Sequence, residues 1–185
     1  MGTPAIEIST ARLRLRQWQD SDYEPFARMN ADERVMEFFV SPLERDASNA
    51  LADKSRAAIR DQGWGLWAVE VVGVAPFIGF VGLNTVADSI PIAPCVEVGW
   101  RLDRRFWGYG YASEAATAAV AFGFASAHLS EIVSFTATIN HRSRKVMERI
   151  GMRFNGETFE HPNVPKNHPL REHVVYRISP QPEMK

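Results

Sequence analysis

The sequence lacks several features that define protein classes. It has a single cysteine, Cys95, in 185 residues, which excludes an intramolecular disulfide and a thiolate-rich metal site. Its apolar stretches all fall short of the roughly 20 residues that a membrane-spanning helix requires. Residues 1–9 do not have the basic and then apolar segments of a signal peptide. We therefore expect a soluble, cytoplasmic protein with no membrane partner.

The sequence also has almost no excess of charge. Its 21 basic and 22 acidic residues give a formal net charge of -1 at pH 7, so no overall field attracts nucleic acid. Hydrophobic residues make up 45% of the chain and charged residues 23%, as in an ordinary globular protein. A chain of 185 residues is long enough to bury one core and too short for two comfortable domains. We therefore expect one domain over residues 1–185 and no nucleic-acid partner.

The most informative stretch covers residues 96–124. Apolar residues alternate with others over residues 96–102, which predicts a strand. From Tyr111 onward they recur at helical spacing. The turn between carries Gly108 and Gly110 and leads directly into the helix, where free N–H groups and partial positive charge favour a phosphate. The stretch predicts a pyrophosphate site; the alternative is a glycine loop that only turns a corner.

The residues of this turn distinguish between kinds of phosphate loop. A nucleotide-triphosphate loop requires Lys and then Ser or Thr after its glycines, whereas Tyr and Ala follow Gly110. A dinucleotide fingerprint would place its third glycine at Ser113 and fits no better. The pattern R-x-x-G-x-G-x-A, formed by Arg105, Gly108, Gly110 and Ala112, instead resembles the coenzyme A loop of the GNAT superfamily of N-acetyltransferases.

A second motif supports this resemblance. Residues 131–138 are alternating and rich in β-branched side chains, which predicts a strand. Residues 140–154 have the shape N-x-x-S-x-x-v-m-e-x-x-G-[FM] of the helix that follows in the same superfamily. They resemble in particular the Rim-type enzymes, which acetylate the N-termini of ribosomal proteins. The resemblance extends from about Thr10 to Ile178.

Hydrophobic periodicity and turn residues predict the other elements. The expected strands lie near residues 10–17, 64–72, 77–85, 153–160 and 171–178, and the expected helices begin at Asp20 or Ser21, hold residues 35–39 and cover 43–61. The first strand should turn Arg12, Arg14 and Arg16 to water. The predicted fold is α/β (α+β): a single mixed, mostly antiparallel twisted sheet flanked by helices, GNAT-like, with one parallel crossover at the glycine loop.

A proline-rich segment near the C-terminus, residues 161–169, carries His161 and His168, and His173 follows it. The spacing of these histidines matches no established metal-ligand pattern. We therefore predict no metal site, and a loop that forms one wall of the acceptor site.

The resemblance implies acetyl-CoA as the cosubstrate and assigns residues to it. The backbone of Trp100, Arg101 and Leu102 should lie against the pantetheine arm, which binds as an extra strand where two strands diverge. The contacts expected around the pyrophosphate are Arg105, Trp107, Gly108, Tyr109, Gly110, Tyr111, Ala112 and Ser113, and Asn140 and Ser143 complete the set.

Acetyl transfer requires a neutral amine, whereas the pKa of an α-amino group is roughly 8 and that of lysine about 10.4. A general base is therefore useful, and Glu97 is our candidate. Strand alternation places it with Gly99 on the face opposite Val96 and Val98, a face that can form an open cleft. The alternative is a glutamate that only faces solvent.

The predicted last helix holds a candidate acid. Asn140 is a natural N-cap, and the resemblance adds a hydrogen bond from its side chain to the cofactor. Many superfamily members carry a tyrosine further along this helix to protonate the departing thiolate, but the matching residue here is Met147. Ser143 is the nearest hydroxyl, as in the Rim-type branch, and unaided departure of the thiolate is the alternative.

We therefore predict an N-acetyltransferase that moves the acetyl group from acetyl-CoA to a primary amine by direct attack. The favoured acceptor is a protein N-terminal amine. The alternatives are a small amine, such as an antibiotic or a polyamine, and a coenzyme A-binding module without turnover, which Met147 makes conceivable. The chain should act as a monomer or a homodimer.

Overall fold

Residues 6–180, which the computed structural model describes, form one eight-stranded sheet and four α-helices. The ends of the predicted 1–185 domain, with most of the segment tested for a signal peptide, lie outside the described residues. In chain order the elements are β1 (Ile8–Ser9), β2 (Leu13–Arg16), α1 (Tyr23–Ala31), α2 (Arg45–Gln62), β3 (Leu66–Val71), β4 (Ala75–Thr85), β5 (Val96–Leu102), α3 (Tyr111–Ala125), β6 (Ile132–Ala137), α4 (His141–Arg149), β7 (Arg153–Glu160) and β8 (Glu172–Ile178).

The sheet has the strand order β1-β2-β3-β4-β5-β6-β8-β7. Neighbouring strands are antiparallel, except for the parallel pair β5 and β6, which α3 connects. This arrangement confirms the predicted fold class, including the single parallel crossover at the glycine loop. β7 and β8 are consecutive antiparallel strands, and β8 also pairs with β6. β8 therefore lies between β6 and β7, and β7 is the last strand of the sheet.

The helices lie on both faces of the sheet. Phe80 of β4 packs against Phe26 of α1, with ring centroids 5.9 Å apart. On the opposite face, Trp67 of β3 packs against Phe122 of α3, with centroids 5.3 Å apart. Trp67 pairs in register with Val81, the residue next to Phe80, and successive strand residues point to opposite faces. We call these the α1 face and the α3 face. No helix within residues 6–180 is long and apolar enough to cross a membrane.

The predicted helix at residues 35–39 is wrong. Val35 and Met36 are buried, as a periodic pattern suggests, but the segment is a series of turns. Met36 N–H donates to the Asp32 carbonyl and Phe39 N–H to the Met36 carbonyl, at 3.0 and 2.9 Å, so no continuous helical ladder forms. The two-residue strand β1 is too short to leave a periodic signal, and the sequence did not predict it.

The prediction that Arg16 faces water is also wrong. Its exposed fraction is 3%, and that of Asp22 is 1%. The two guanidinium Nη atoms donate to the two carboxylate oxygens of Asp22 at 2.8 and 2.9 Å, a bidentate geometry that fixes both groups. Arg16 also donates to the Pro76 carbonyl and lies 3.4 Å from a Glu70 carboxylate oxygen. The pair therefore ties β2 to the start of α1 and to the β3–β4 hairpin.

Removing the anion of this pair should destabilise the fold strongly. Asp22→Asn keeps the side-chain size but removes the carboxylate that binds the buried Arg16 in a bidentate way and leaves Glu70, at 3.4 Å, as its one anion among residues 6–180, so we expect the free energy of unfolding to fall by about 3 kcal/mol. Denaturant titration followed by circular dichroism measures the loss. Glu24→Gln, which breaks the exposed Arg45–Glu24 pair, is the control and should change stability little. Equal stability of the two variants would contradict the role given to Arg16.

Candidate active site

A large cavity lies where β5 and β6 diverge. These strands share one registered residue pair, Glu97 with Val133, whereas β5 shares seven pairs with β4 and β6 shares six with β8. Beyond that pair the strands separate around a cavity of about 850 Å³. The first residues of α3 and α4 and the segment between α1 and α2 complete its walls. A strand edge that has lost its neighbour presents free backbone groups to this cavity.

The glycine turn at one end of the cavity is shaped for an anion. Within residues 6–180, no hydrogen-bond partner is found for the N–H groups of residues 108–113. Gly108 and Gly110 both have φ of +83°, which glycine adopts without strain. A Cβ at Gly108 would meet nothing within 4 Å, and one at Gly110 only the Arg12 Nη2 atom at 3.6 Å. Six free donors at the start of a 15-residue helix fit a pyrophosphate.

Twelve of the fourteen residues predicted for the site line the cavity, and Arg105 and Tyr109 do not. Arg105 is bound to Asp103 through its backbone N–H and its guanidinium, with distances of 2.7 to 3.1 Å. Its side chain is 70% exposed, so the ion pair holds it outside the main cavity. Tyr109 is 60% exposed and stacks on Tyr111, with ring centroids 5.6 Å apart. The lining residues are Glu97, Trp100, Arg101, Leu102, Trp107, Gly108, Gly110, Tyr111, Ala112, Ser113, Asn140 and Ser143.

Glu97 lies where β5 and β6 separate, and its side chain lines the cavity. Asn84, its partner across β4 and β5, donates a hydrogen bond from Nδ2 to a Glu97 carboxylate oxygen at 2.9 Å. Burial raises the pKa of Glu97, and the Asn84 bond and the positive charge of Lys54 offset part of that rise. A carboxyl group with a raised pKa is suited to accept a proton near neutral pH.

The start of α4 forms a small hydrogen-bonded network. The Asn140 side-chain oxygen accepts from the Ser143 N–H at 3.2 Å, so Asn140 is the N-cap, as predicted. Its Nδ2 donates to Thr136 Oγ1 at 2.8 Å and to Ser143 Oγ at 3.1 Å. Because the serine oxygen accepts a bond from Asn140, its own proton stays available to another acceptor. Met147 is buried in the cavity lining and supplies no proton.

Arg142 spans the cavity from α4. Its guanidinium carbon lies 4.5 Å from the Trp107 ring centroid and 5.2 Å from that of Phe38, distances typical of cation–π contacts. Its Nη2 donates to Glu37 at 2.7 Å. We call this set the Arg142 bridge, because it joins the glycine turn to the segment between α1 and α2.

The charges that line the cavity are unequal in sign. Among the described residues of the lining, Glu97 is the one carboxylate, and the cations are Arg101, Arg142, Lys145 and Arg149. The imidazole rings of His161 and His173, 4.8 Å apart, form part of the wall. Burial lowers the pKa of His173 to about 4, so that ring is neutral at neutral pH. The site therefore attracts anions.

Two polar residues of this region were not predicted. Asn84 orients Glu97, and Asn30 of α1 accepts a hydrogen bond from Arg101 at 2.7 Å. The hairpin register could have identified Asn84, because it lies directly across from Glu97. Nothing in the local sequence of α1 indicates a partner on β5, 71 residues away.

Comparisons with known proteins identify the family. Residues 12–153 match the family model described as an acetyltransferase (GNAT) domain. YnaD of Bacillus subtilis, described as an uncharacterized N-acetyltransferase, is 27% identical to the chain, and the match covers 94% of this chain and 96% of YnaD. The FsC-acetyl coenzyme A-N(2)-transacetylase of Aspergillus fumigatus is 32% identical over 78% of this chain and 64% of the fungal protein.

Among solved structures, RimJ of Mycobacterium smegmatis in complex with CoA-disulfide shares the fold. Its TM-score is 0.73 at 17% identity, and the match covers 96% of this chain and 89% of RimJ. The family uses acetyl-CoA as its cosubstrate, and the free N–H groups of residues 108–113 suit the pyrophosphate of that molecule. The chain therefore belongs to the GNAT family of acetyltransferases, and it is an acyltransferase.

Proposed function

We propose that this enzyme acetylates the α-amino group of a protein N-terminus, by direct attack of the amine on the thioester of acetyl-CoA. The observation that carries the proposal is Glu97, a carboxylate of raised pKa in a cavity whose other charged lining residues are cations. An α-amino group has a pKa of about 7.7–8.0, so about a tenth of the acceptor molecules carry a neutral amine at pH 7. The proton of the others passes to a nearby base at little cost in free energy.

The same charges argue against the polyamine alternative. A polycationic acceptor would have to approach Arg101, Arg142 and Lys145, and like charges in a confined site repel. A lysine side chain, with a pKa of about 10.4, is also a poorer match to a single carboxylate base. The Asn140–Ser143 pair, which belongs to the Rim-type pattern, supports the N-terminal amine.

A second candidate acceptor is an amine of a small molecule. The Aspergillus fumigatus relative is named for acetyl transfer to an N(2) amine of FsC, and the cavity of about 850 Å³ has the size of a small-molecule site. The two candidates can be separated by an acceptor assay with acetyl-CoA as the donor. The assay compares lysine-free peptides with α-amino compounds of low mass.

The proposed chemistry uses groups that face the cavity. The amine nitrogen forms a bond to the acetyl carbonyl carbon, the carbon–sulfur bond breaks, and Glu97 takes the proton that the amine loses. The free edge of β5 offers backbone N–H groups to the carbonyl oxygen as negative charge develops there. Ser143 donates a hydrogen bond to the departing sulfur, whose thiol has a pKa near roughly 8.5 and therefore needs modest help.

Removing the carboxylate should lower the rate without weakening cofactor binding. We expect Glu97→Gln to reduce kcat by about 10² or more.

Asn84→Leu should shift the acid limb of the kcat/KM profile to higher pH, because it removes a hydrogen bond that lowers the Glu97 pKa. A thiol-release assay between about pH 5 and pH 9, a range that includes the pKa of an α-amino group, measures both effects. Wild-type activity of Glu97→Gln at pH 7 would mean that another group is the base.

The glycine turn should bind coenzyme A. Gly110→Ala adds a methyl group to the turn that carries the free N–H groups, and we expect the Kd for coenzyme A to rise tenfold or more, about 1.4 kcal/mol. Gly73→Ala is the matched control, because Gly73 also has a positive φ and open space around it but lies in the turn between β3 and β4. It should carry the same backbone strain with unchanged affinity in calorimetry. Equal affinities of the two variants would disprove this assignment.

The hydroxyl of Ser143 should contribute less than the base. We expect Ser143→Ala to lower kcat by about 10-fold to 10²-fold; Asn140 can still cap the helix, because it binds the backbone N–H of residue 143. Ser55→Ala, which removes a hydroxyl bonded within α2, is the control and should leave kcat unchanged. If Ser143→Ala matches that control, the thiolate departs without a side-chain donor.

A further inference from the structure

Arg101 is a half-buried cation with no acidic partner among residues 6–180. Its Nη1 donates to Asn30 Oδ1 at 2.7 Å. Its Nε is fully buried and lacks a hydrogen-bond partner, and no carboxylate oxygen of residues 6–180 lies within 4.0 Å of its guanidinium. Burial lowers the pKa of Arg101 to about 10, which still leaves it charged at neutral pH. A charge that is partly removed from water and has no counter-ion is costly, so a partner from outside the chain would be bound favourably.

The surroundings of Arg101 hold it in one orientation. Asn30 is fully buried, and its Nδ2 donates to Ser48 Oγ at 2.8 Å, which turns its oxygen toward Arg101. The rings of Phe39 and Phe80 flank the guanidinium, with centroids 4.2 and 5.4 Å from its central carbon. The Nε–Nη2 edge remains without a protein partner within the described residues. On that edge Nε is closed off from the cavity, so Nη2 is the nitrogen left to donate to an oxygen of a ligand carboxylate.

Arg101 shares one face of β5 with the proposed base. Glu97, Gly99 and Arg101 alternate along the strand on the α1 face, and a Cβ at Gly99 would meet nothing within 4 Å. Four strand residues span about 13 Å between the Cα atoms of Glu97 and Arg101, and both side chains line the same cavity. The strand surface between the base and the cation is therefore open to a ligand.

This face belongs to the acceptor rather than to the coenzyme. The glycine turn leads into α3, which packs on the α3 face. Arg101 instead pairs in register with Phe80, whose ring contacts α1. An anion that reaches Arg101 would thus approach from the side opposite the helix whose first turn holds the pyrophosphate site.

We propose that Arg101 binds a carboxylate of the acetyl acceptor, so that the acceptor is an α-amine accompanied by a carboxylate. The assignment rests on the proposed function and adds the substrate class. The carboxylate has two chemical sources: that of a free amino acid, or an acidic side chain near the N-terminus of a protein.

Paired acceptors that differ by one charge test this assignment. The first arm uses free amino acids and their carboxamides, and the second uses lysine-free pentapeptide amides with Asp or Asn at positions 1 and 2. In the wild-type enzyme we expect the acid of the matching arm to exceed its amide in kcat/KM by about tenfold to a hundredfold, the range of a charge-assisted hydrogen bond. Calorimetric titration of the same compounds into the protein with coenzyme A gives a readout that needs no turnover.

Two variants then tie the preference to Arg101. Arg101→Gln should abolish the preference for the acid over the amide, measured as the ratio of their kcat/KM values. Asn30→Asp keeps the arginine and supplies an internal counter-ion at the Nη1 atom, so it should have the same effect even if Arg101→Gln does not fold. Arg104→Gln, which alters an exposed arginine paired with Asp32, is the control and should retain the preference.

The two proposals fail in different ways. Equal use and equal binding of acids and amides by the wild-type enzyme would overturn the carboxylate assignment while leaving N-acetylation intact. A preference that persists in Asn30→Asp and Arg101→Gln would overturn it as well. If no α-amine is acetylated, the proposed function fails; binding of the acids that depends on Arg101 in calorimetry would still support the carboxylate site.

Discussion

The active site depends on the single residue pair that joins β5 to β6. Glu97 and Val133 hold two halves of the sheet together, one built from β1 to β5 and the other from β6 to β8. Because the strands separate beyond that pair, backbone groups that would otherwise bond across the sheet face a cavity. The candidate base lies at this point of divergence, so one local feature sets both the space for an extended ligand and the position of the carboxylate.

Charge is distributed around this opening in a way that matches two different anions. The glycine turn presents free N–H groups at the start of α3, and the α1 face presents the guanidinium of Arg101. The two lie on opposite sides of the central strand, so a phosphate and an acceptor carboxylate would not compete. Glu97 lies four residues from Arg101 on the same strand. In the proposed reaction Arg101 would attract the acceptor carboxylate, and the raised pKa of Glu97 would favour its uptake of a proton.

Much of this arrangement could be predicted from the sequence. The bounds of β5 and the start of α3 agree with the structure, because strand alternation and helical periodicity are strong in residues 96–124. The parallel crossover at the glycine loop was also predicted, and β5 and β6, which α3 connects, are the parallel pair. The cap at Asn140 could be predicted for the same local reason.

Other features required the structure, for physical reasons. Arg16 alternates with apolar residues as a water-facing arginine would, but the turn that follows β2 brings Asp22 back to it and both are buried. Residues 35–39 show helical spacing, although their backbone bonds close separate turns. The environment of Arg101 depends on Asn30 and Ser48 from two other helices. Contacts of this kind, between residues of different elements, produce no periodic pattern in the sequence.

The divergence of β5 and β6 also bears on solubility. An unpaired strand edge is normally an aggregation hazard, since it offers backbone groups to a strand of any neighbouring protein. Here two such edges face each other inside the molecule, and the Arg142 bridge crosses the space above them through Glu37, Phe38 and Trp107. The enzyme can thus keep a binding edge open without exposing a site for fibrous assembly.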